Sequence, residues 1–237
     1  MDKLQPIGGG LQIYVNDTHR YGTDAVMLSY FSRVTGKDKV CELGTGCGII
    51  SLLLSREQKP SILAVDIQQD AIELVKKSVE LNNLDNITPL NADLKGLKGE
   101  ADFDVVIMNP PYKTANGGLH SENMGLKIAR SEIMCNTFDI VDCANRLLKY
   151  MGRLCMCQRP ERAIDLICAM RQKKIEPKRM RFVHIRENKE PMLVLIEGVK
   201  GANSALKVEP PLIIENSDGS YTDEVEQIYS LYRKARG

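Results

Sequence analysis

The sequence predicts a doubly wound α/β fold, a seven-stranded and mostly parallel sheet ending in an antiparallel hairpin. Three observations predict it. Short apolar runs alternate with amphipathic, helix-spaced segments, the pattern of successive β-α units. The first run leads straight into a glycine cluster that opens a helix. The last two runs are joined only by 187–191, and so short a connection permits antiparallel pairing alone.

The elements follow in order. Residues 39–43 (KVCEL) read as the first strand and 49–56 as the helix after the glycines. SILAVD over 61–66 is the second strand, and 69–82 a helix with Ile72, Val75 and Val79 at helical spacing. Residues 86–91 form the third strand. FDVVIM over 103–108 is the fourth, continuously apolar as a strand covered on both faces should be. A helix is expected over 128–149, stopped by Gly152, then a fifth strand over 153–158, a helix over 161–174, and strands over 181–186 and 192–197. The expected division is an N-terminal extension (1–37) capping the cofactor site, one catalytic domain (38–200) and a C-terminal tail (201–237).

Composition narrows the function classes. Of 237 residues, 43% are hydrophobic and 27% charged, a globular balance that excludes wholesale disorder. A net charge of +1 argues against an acidic tail or a uniformly basic coat. No apolar run reaches the ~20 residues of a membrane span, and MDKLQPIGGG lacks the apolar stretch of an export signal; a cytoplasmic protein is expected. Seven cysteines, an odd number without a C-x-x-C pair, read as small buried hydrophobes in a reducing compartment. His19, His120 and His184 are scattered, so no metal site is expected.

Glu42-Leu43-Gly44-Thr45-Gly46-Cys47-Gly48 follows the first strand. Glycines there permit positive φ and let backbone approach a ligand. Asp66, at the end of the second strand, stands at the distance suited to ribose hydroxyls. The spacing is G-x-G-x-G, with Ile49 where the dinucleotide fingerprint G-x-G-x-x-G has its last glycine. A ligand-free turn and a nicotinamide dinucleotide remain open beside the favoured ligand, S-adenosyl-L-methionine.

Asn109-Pro110-Pro111-Tyr112 follows the fourth strand directly, at the carboxyl edge where doubly wound sheets bind ligands. Two prolines stiffen the loop and leave carbonyls as acceptors. A rigid acceptor pair, the Asn109 side-chain oxygen and the Pro110 carbonyl, suits a planar nitrogen bearing N–H donors, such as adenine's exocyclic amine or a glutamine amide. Hydrogen bonds from that NH₂ favour a pyramidal nitrogen with its lone pair aimed at a methyl group. Tyr112 offers a flat face on which a base can stack.

These residues, with Asp93, the stretch Arg20-Tyr21-Gly22-Thr23-Asp24-Ala25, Arg130 and Glu132, resemble the class I S-adenosylmethionine-dependent methyltransferases of the small-domain type, most nearly the bacterial tRNA-Val N6-adenine methyltransferases. The resemblance runs from about Leu11 to Glu197. It implies a Rossmann-like sheet and cofactor contacts from Thr23, Glu42 (beneath the methionine amino group), Gly44, Gly46, Gly48, Asp66, Ile67, Asp93 (at the cofactor's adenine), Leu94 and Asn109. Asn109, Pro110, Pro111 and Tyr112 would carry the chemistry. The implied reaction is methyl transfer to N6 of an unpaired adenine in RNA, most naturally tRNA. The tetrapeptide also serves glutamine and guanine methyltransferases. A release-factor-type glutamine N5-methyltransferase therefore stays open, although only about 40 residues precede the glycines, as does a guanine N2 rRNA methyltransferase.

Charge is uneven along the chain. Residues 38–109 carry a net −5, and 149–190 a net +7. The acidic half cannot attract an RNA backbone, so phosphate contacts are expected from Arg130, with Lys127, beside the NPPY loop, and from the run holding Lys173, Lys174, Lys178 and Arg179. The oligomeric state has no sequence signal.

Overall fold

The computed structural model describes residues 1–57, 59–97, 101–110 and 137–233. An N-terminal hairpin, β1 (Lys3–Gly8) and β2 (Leu11–Val15), precedes α1 (Thr23–Phe31). The β-α units are β3 (Lys39–Leu43), α2 (Ile49–Glu57), β4 (Ser61–Asp66), α3 (Gln69–Leu81) and β5 (Ile87–Asn91). Next come β6 (Phe103–Met108), α4 (Thr137–Leu147), β7 (Leu148–Gln158), a 3-10 turn (Pro160–Arg162) and α5 (Ala163–Gln172). The chain closes with β8 (Ile175–His184), β9 (Pro191–Lys200), β10 (Lys207–Val208), β11 (Leu212–Ile213) and α6 (Asp223–Arg233).

The sheet runs β5-β4-β3-β6-β7-β9-β8, with β10 and β11 both on the outer edge of β8. Only the pairings of β9 are antiparallel, so the expected hairpin is present. The expected seven strands form the body of a nine-stranded sheet. Chain progression leaves β3 toward β5 on one side and resumes at β6 on the other. That reversal opens a crevice at the carboxyl ends of β3 and β6.

Alternation across the sheet builds two cores. Val40, Val105, Ile107, Cys155 and Leu195 face α1, α2 and α3. Cys41, Leu43, Val106, Leu154 and Met156 face α4 and α5. The extension and the tail join the first of these. Ile13 and Val15 of β2, and Val225 and Ile228 of α6, are buried in it. The hairpin is pinned to α3 where the Tyr14 amide donates to Ser78 Oγ (2.9 Å) and the Gln12 amide to Asn82 Oδ1 (2.9 Å). Residues 1–37 and 201–233 are therefore continuous with the domain's core. The hairpin lies along α3, and the start of α1 is what reaches the carboxyl edge.

Three boundaries differ from expectation. Gly152 does not stop a helix: α4 ends at Leu147 and β7 begins at once. A Cβ at Gly152 would stand 3.0 Å from the carbonyls of Lys149 and Phe103, so glycine permits a close chain return inside the strand. Second, 161–174 divides into a 3-10 turn and α5. Third, β8 and β9 are ten residues each, because buried ion pairs let charged residues occupy strand positions. Cys41, Cys47, Cys143, Cys155 and Cys157 are buried as small core residues, whereas Cys168 is exposed. Burial pushes the thiols of Cys41, Cys47, Cys143 and Cys155 up, that of Cys47 to about 12, which keeps these four protonated. No helix among the described residues is long and apolar enough to cross a membrane.

Candidate active site

The glycine turn is built by backbone geometry. Gly44, Gly46 and Gly48 have φ of +66°, +55° and +86°, a region that side chains disfavour. The Thr45 amide donates to the Val65 carbonyl (2.9 Å), binding the turn to the end of β4. A Cβ on Gly46 would meet nothing within 4 Å, so this residue borders open space. A Cβ on Gly48 would come within 3.0 Å of Val75 on α3. Gly48 thus provides the close helix packing that the third glycine serves in the dinucleotide fingerprint, one position earlier. Ile49 belongs to the buried core instead.

Two carboxylates organise this turn. Asp66 is 6% exposed. It accepts from the Gly46 amide (2.9 Å) on one oxygen and from the Gln68 amide (2.9 Å) on the other. It therefore braces the glycine turn against the start of α3; a carboxylate has acceptor capacity for ribose hydroxyls in addition. Glu42 points toward α2, where its Oε2 accepts from Thr45 Oγ1 (2.8 Å), the Ser51 amide (3.0 Å) and Ser51 Oγ. Burial pushes its carboxyl up to about 7, against the lowering effect of those hydrogen bonds. Thr23 opens α1, and Ile67 is 45% exposed just beyond β4. Asp93 is exposed in the turn after β5, its Oδ1 accepting from the Lys95 amide (2.9 Å), and Leu94 is half-buried beside it.

Asn109 follows β6 at the same edge. Its Nδ2 donates to Asp24 Oδ2 (2.9 Å), and Cys157 Sγ lies 2.9 Å from its Oδ1. Pro110 is buried behind it. The structure thus gathers Thr23, Glu42, Gly44, Gly46, Gly48, Asp66, Ile67, Asp93, Leu94, Asn109 and Pro110 at one sheet edge. Pro111, Tyr112, Lys127 and Arg130 lie outside the described residues.

The basic run does not join them. Since β8 is parallel to β7, its start lies at the opposite, amino edge, with Lys173 and Lys174 just before it. Lys173 pairs with Asp142 and sits over the Phe138 ring, and Lys178 Nζ donates to the Asn203 carbonyl (3.2 Å). Lys174 is exposed at that same end. Arg179 is turned into the protein, 12% exposed. It pairs with Glu197 (2.9 Å) and Glu209 (3.1 Å) and stacks on Phe31. A cluster read from chain proximity is thereby dispersed, and two of its four members, Lys173 and Arg179, are paired with carboxylates.

Sequence reasoning passed over three groups. Asp24 was visible only as part of a longer stretch, Ser51 as an ordinary helix residue, and Cys157 as a small hydrophobe. Acidic position in the first turn of α1 was the one available signal for Asp24. Cys157 becomes Asn109's neighbour only through the pairing of β6 with β7.

Known proteins place this arrangement in context. The curated tRNA1(Val) (adenine(37)-N6)-methyltransferase of Phocaeicola vulgatus is 28% identical over 178 residues, 75% of each chain. The protein of the same name from Aeromonas hydrophila is 23% identical, covering 90% of this chain and 89% of its own. Among solved structures, a "predicted O-methyltransferase" from Agrobacterium tumefaciens superposes with a TM-score of 0.71 at 21% identity, over 90% of this chain and 98% of its own. M. jannaschii TYW2, solved in complex with AdoMet, gives 0.60 at 13% identity, over 84% of each chain. These two share the fold. The family described as "Methyltransferase small domain" matches residues 12–165, an interval that runs from the N-terminal hairpin through the glycine turn and Asn109 into α5. By that match, which spans well over half its length, this chain belongs to the small-domain methyltransferases.

Proposed function

We propose that this protein transfers a methyl group from S-adenosyl-L-methionine to the exocyclic N6 amine of an unpaired adenine in tRNA, acting in the cytoplasm. The observation that carries the reading is Asn109-Pro110 at the end of β6, next to the glycine turn and Asp66 across the sheet's reversal point. The names of the curated relatives, which share 23–28% of their residues with this chain, support adenine in tRNA as the acceptor.

The residues fit the cofactor. Open space above Gly46, the exposed apolar Ile67 and the carboxylates of Asp66 and Asp93 suit a molecule with a ribose and a flat, N–H-bearing ring. Asp66 would hold the ribose hydroxyls, Ile67 and Leu94 the adenine faces, Asp93 its amine, and Glu42 the methionine ammonium. S-adenosyl-L-methionine supplies an electrophilic methyl group when bound. Asn109 Oδ1 and the Pro110 carbonyl accept from the target NH₂, which opposes delocalisation of its lone pair into the ring. Tyr112 stacks the base. No general base is required, because the proton leaves after the new N–C bond has formed. A base paired within a helix cannot reach this edge, so the target is unpaired or flipped out.

The test is incubation with labelled cofactor and bulk tRNA, rRNA or purified release factor, followed by digestion to nucleosides or peptides. Label in N6-methyladenosine supports the reading. Label in N5-methylglutamine, or in N2-methylguanosine when rRNA is the substrate, replaces it.

A further inference from the structure

Met108 on β6 pairs in register with Met156 on β7, so the following residues, Asn109 and Cys157, stand side by side at the carboxyl edge. The alternation that sends Ile107 and Cys155 into the core beneath α1 directs Asn109 and Cys157 the same way. Asp24 is in the first turn of α1, where the helix dipole favours a carboxylate. Asn109 Nδ2 donates to Asp24 Oδ2 at 2.9 Å, and Cys157 Sγ is 2.9 Å from Asn109 Oδ1.

Chemistry dictates the amide's orientation. An ionised carboxylate only accepts, so it must meet the NH₂ end; a thiol can donate, so it meets the oxygen. Turning the amide over would set its oxygen against Asp24 and its NH₂ against the thiol. The carboxylate also draws on the N–H and so concentrates electron density on Oδ1, the atom that accepts from the target amine. An amide oxygen has two lone pairs, so the Cys157 contact is compatible with a second hydrogen bond from the acceptor.

We propose that Asp24 and Cys157 are positioning residues for methyl transfer, clamping the Asn109 amide so that its oxygen rather than its nitrogen serves the acceptor amine. This deepens the function proposed above and rests on its assignment of Asn109.

The experiment measures kcat, KM for tRNA, cofactor Kd and Tm for Asn109→Ala, Asp24→Asn, Asn109→Asp and the double exchange Asp24→Asn/Asn109→Asp. Asp24→Asn offers the amide both donor and acceptor, and loss of the fixed orientation should lower kcat about tenfold or more. Cofactor Kd and Tm should stay near those of the parent. Asn109→Asp alone sets two carboxylates together and should be slower still. The double exchange restores a donor–acceptor pair of reversed polarity and should recover at least about tenfold over Asn109→Asp. Cys157→Ala should lower kcat by about two- to fivefold, with recovery in Cys157→Ser, which keeps a donor. A kcat for Asp24→Asn equal to the parent's, or a double exchange no faster than Asn109→Asp, overturns the proposal. So does a loss in Asp24→Asn that follows Tm and cofactor Kd, since a merely structural carboxylate behaves that way. Asn109→Ala at the parent's rate would instead overturn the underlying assignment of Asn109.

Discussion

The glycine-turn edge and the β8 region both carry dense charge, yet they use it in opposite ways. At the edge, Asp66 is held by the Gly46 and Gln68 amides and Glu42 by Thr45 and Ser51, so neither is matched by a cationic side chain in these contacts. At β8, Arg179 is set between Glu197 and Glu209, and Arg181 makes two 2.7 Å bonds to Glu224. Backbone amides and hydroxyls fix a carboxylate in place without a cationic partner and leave it acceptor capacity for a ligand. Opposed ion pairs cancel each other and tie elements together. In the proposed function the first region serves binding; the second joins the C-terminal segment and α1 to the sheet.

The sharpest break of this contrast is Arg179→Ala. Its removal leaves Glu197 to Arg153 alone and Glu209 to Arg33 alone, and should destabilise the protein by about 3 kcal/mol in urea unfolding, the low end for a broken buried pair. A change below about 1 kcal/mol, typical of a solvated surface charge, would return Arg179 to the surface.

Glu42 gives the next effect, and its sign is specific. Its carboxyl is raised by burial from 4.5 to about 7, so between these values the folded state binds more protons than the unfolded chain. Stability should therefore fall as pH rises through this window, by about 3 kcal/mol in all, and level off above it. Glu42→Gln should abolish that decline. Unfolding curves at pH 5, 6 and 8 that retain the parent's slope in the variant would place the titration elsewhere.

Asp66→Ala should weaken S-adenosyl-L-methionine by about 1.5–3 kcal/mol, the scale of hydrogen bonds to a charged group. Calorimetry with an unchanged Kd would leave Asp66 as a brace alone. The smallest effect is expected at the amino edge. Exchanging Lys173, Lys174 and Lys178 together for Ala should change the salt slope of log K for tRNA by less than the ~0.7–0.9 of one phosphate contact. A flatter slope by two such contacts would show RNA reaching around to that edge.

What was legible in the sequence divides along the same line. β3, β4 and β6 were read to the residue, because apolar strands ending in glycine, Asp or Asn-Pro carry their boundaries locally. The residues of the proposed cofactor edge are brought together for the same reason: the glycine turn, Asp66 and Asn109 each stand at the end of a strand. The β8–β9 hairpin extends beyond its apolar stretches, since Glu176, Lys178 and Arg179 look like a loop until the pairing with β9 and the Glu197 and Glu209 partners of Arg179 are known. β10, β11 and α6 look like a tail in the sequence because the two strands form only against β8, and Leu212, Val225 and Ile228 are buried only against the distant first core. The Asp24–Asn109–Cys157 contacts join residues 85 and 48 positions apart, and no local pattern encodes them.

The most direct test of the account is the single-turnover methylation rate of Asn109→Ala on tRNA, measured beside its affinity for S-adenosyl-L-methionine. Loss of an acceptor that acts as the target nitrogen becomes pyramidal should lower the rate by about 100-fold or more, while cofactor Kd stays within about threefold of the parent. A near-parental rate, or a loss explained wholly by weaker cofactor binding, would contradict the claim that Asn109 acts on the acceptor amine.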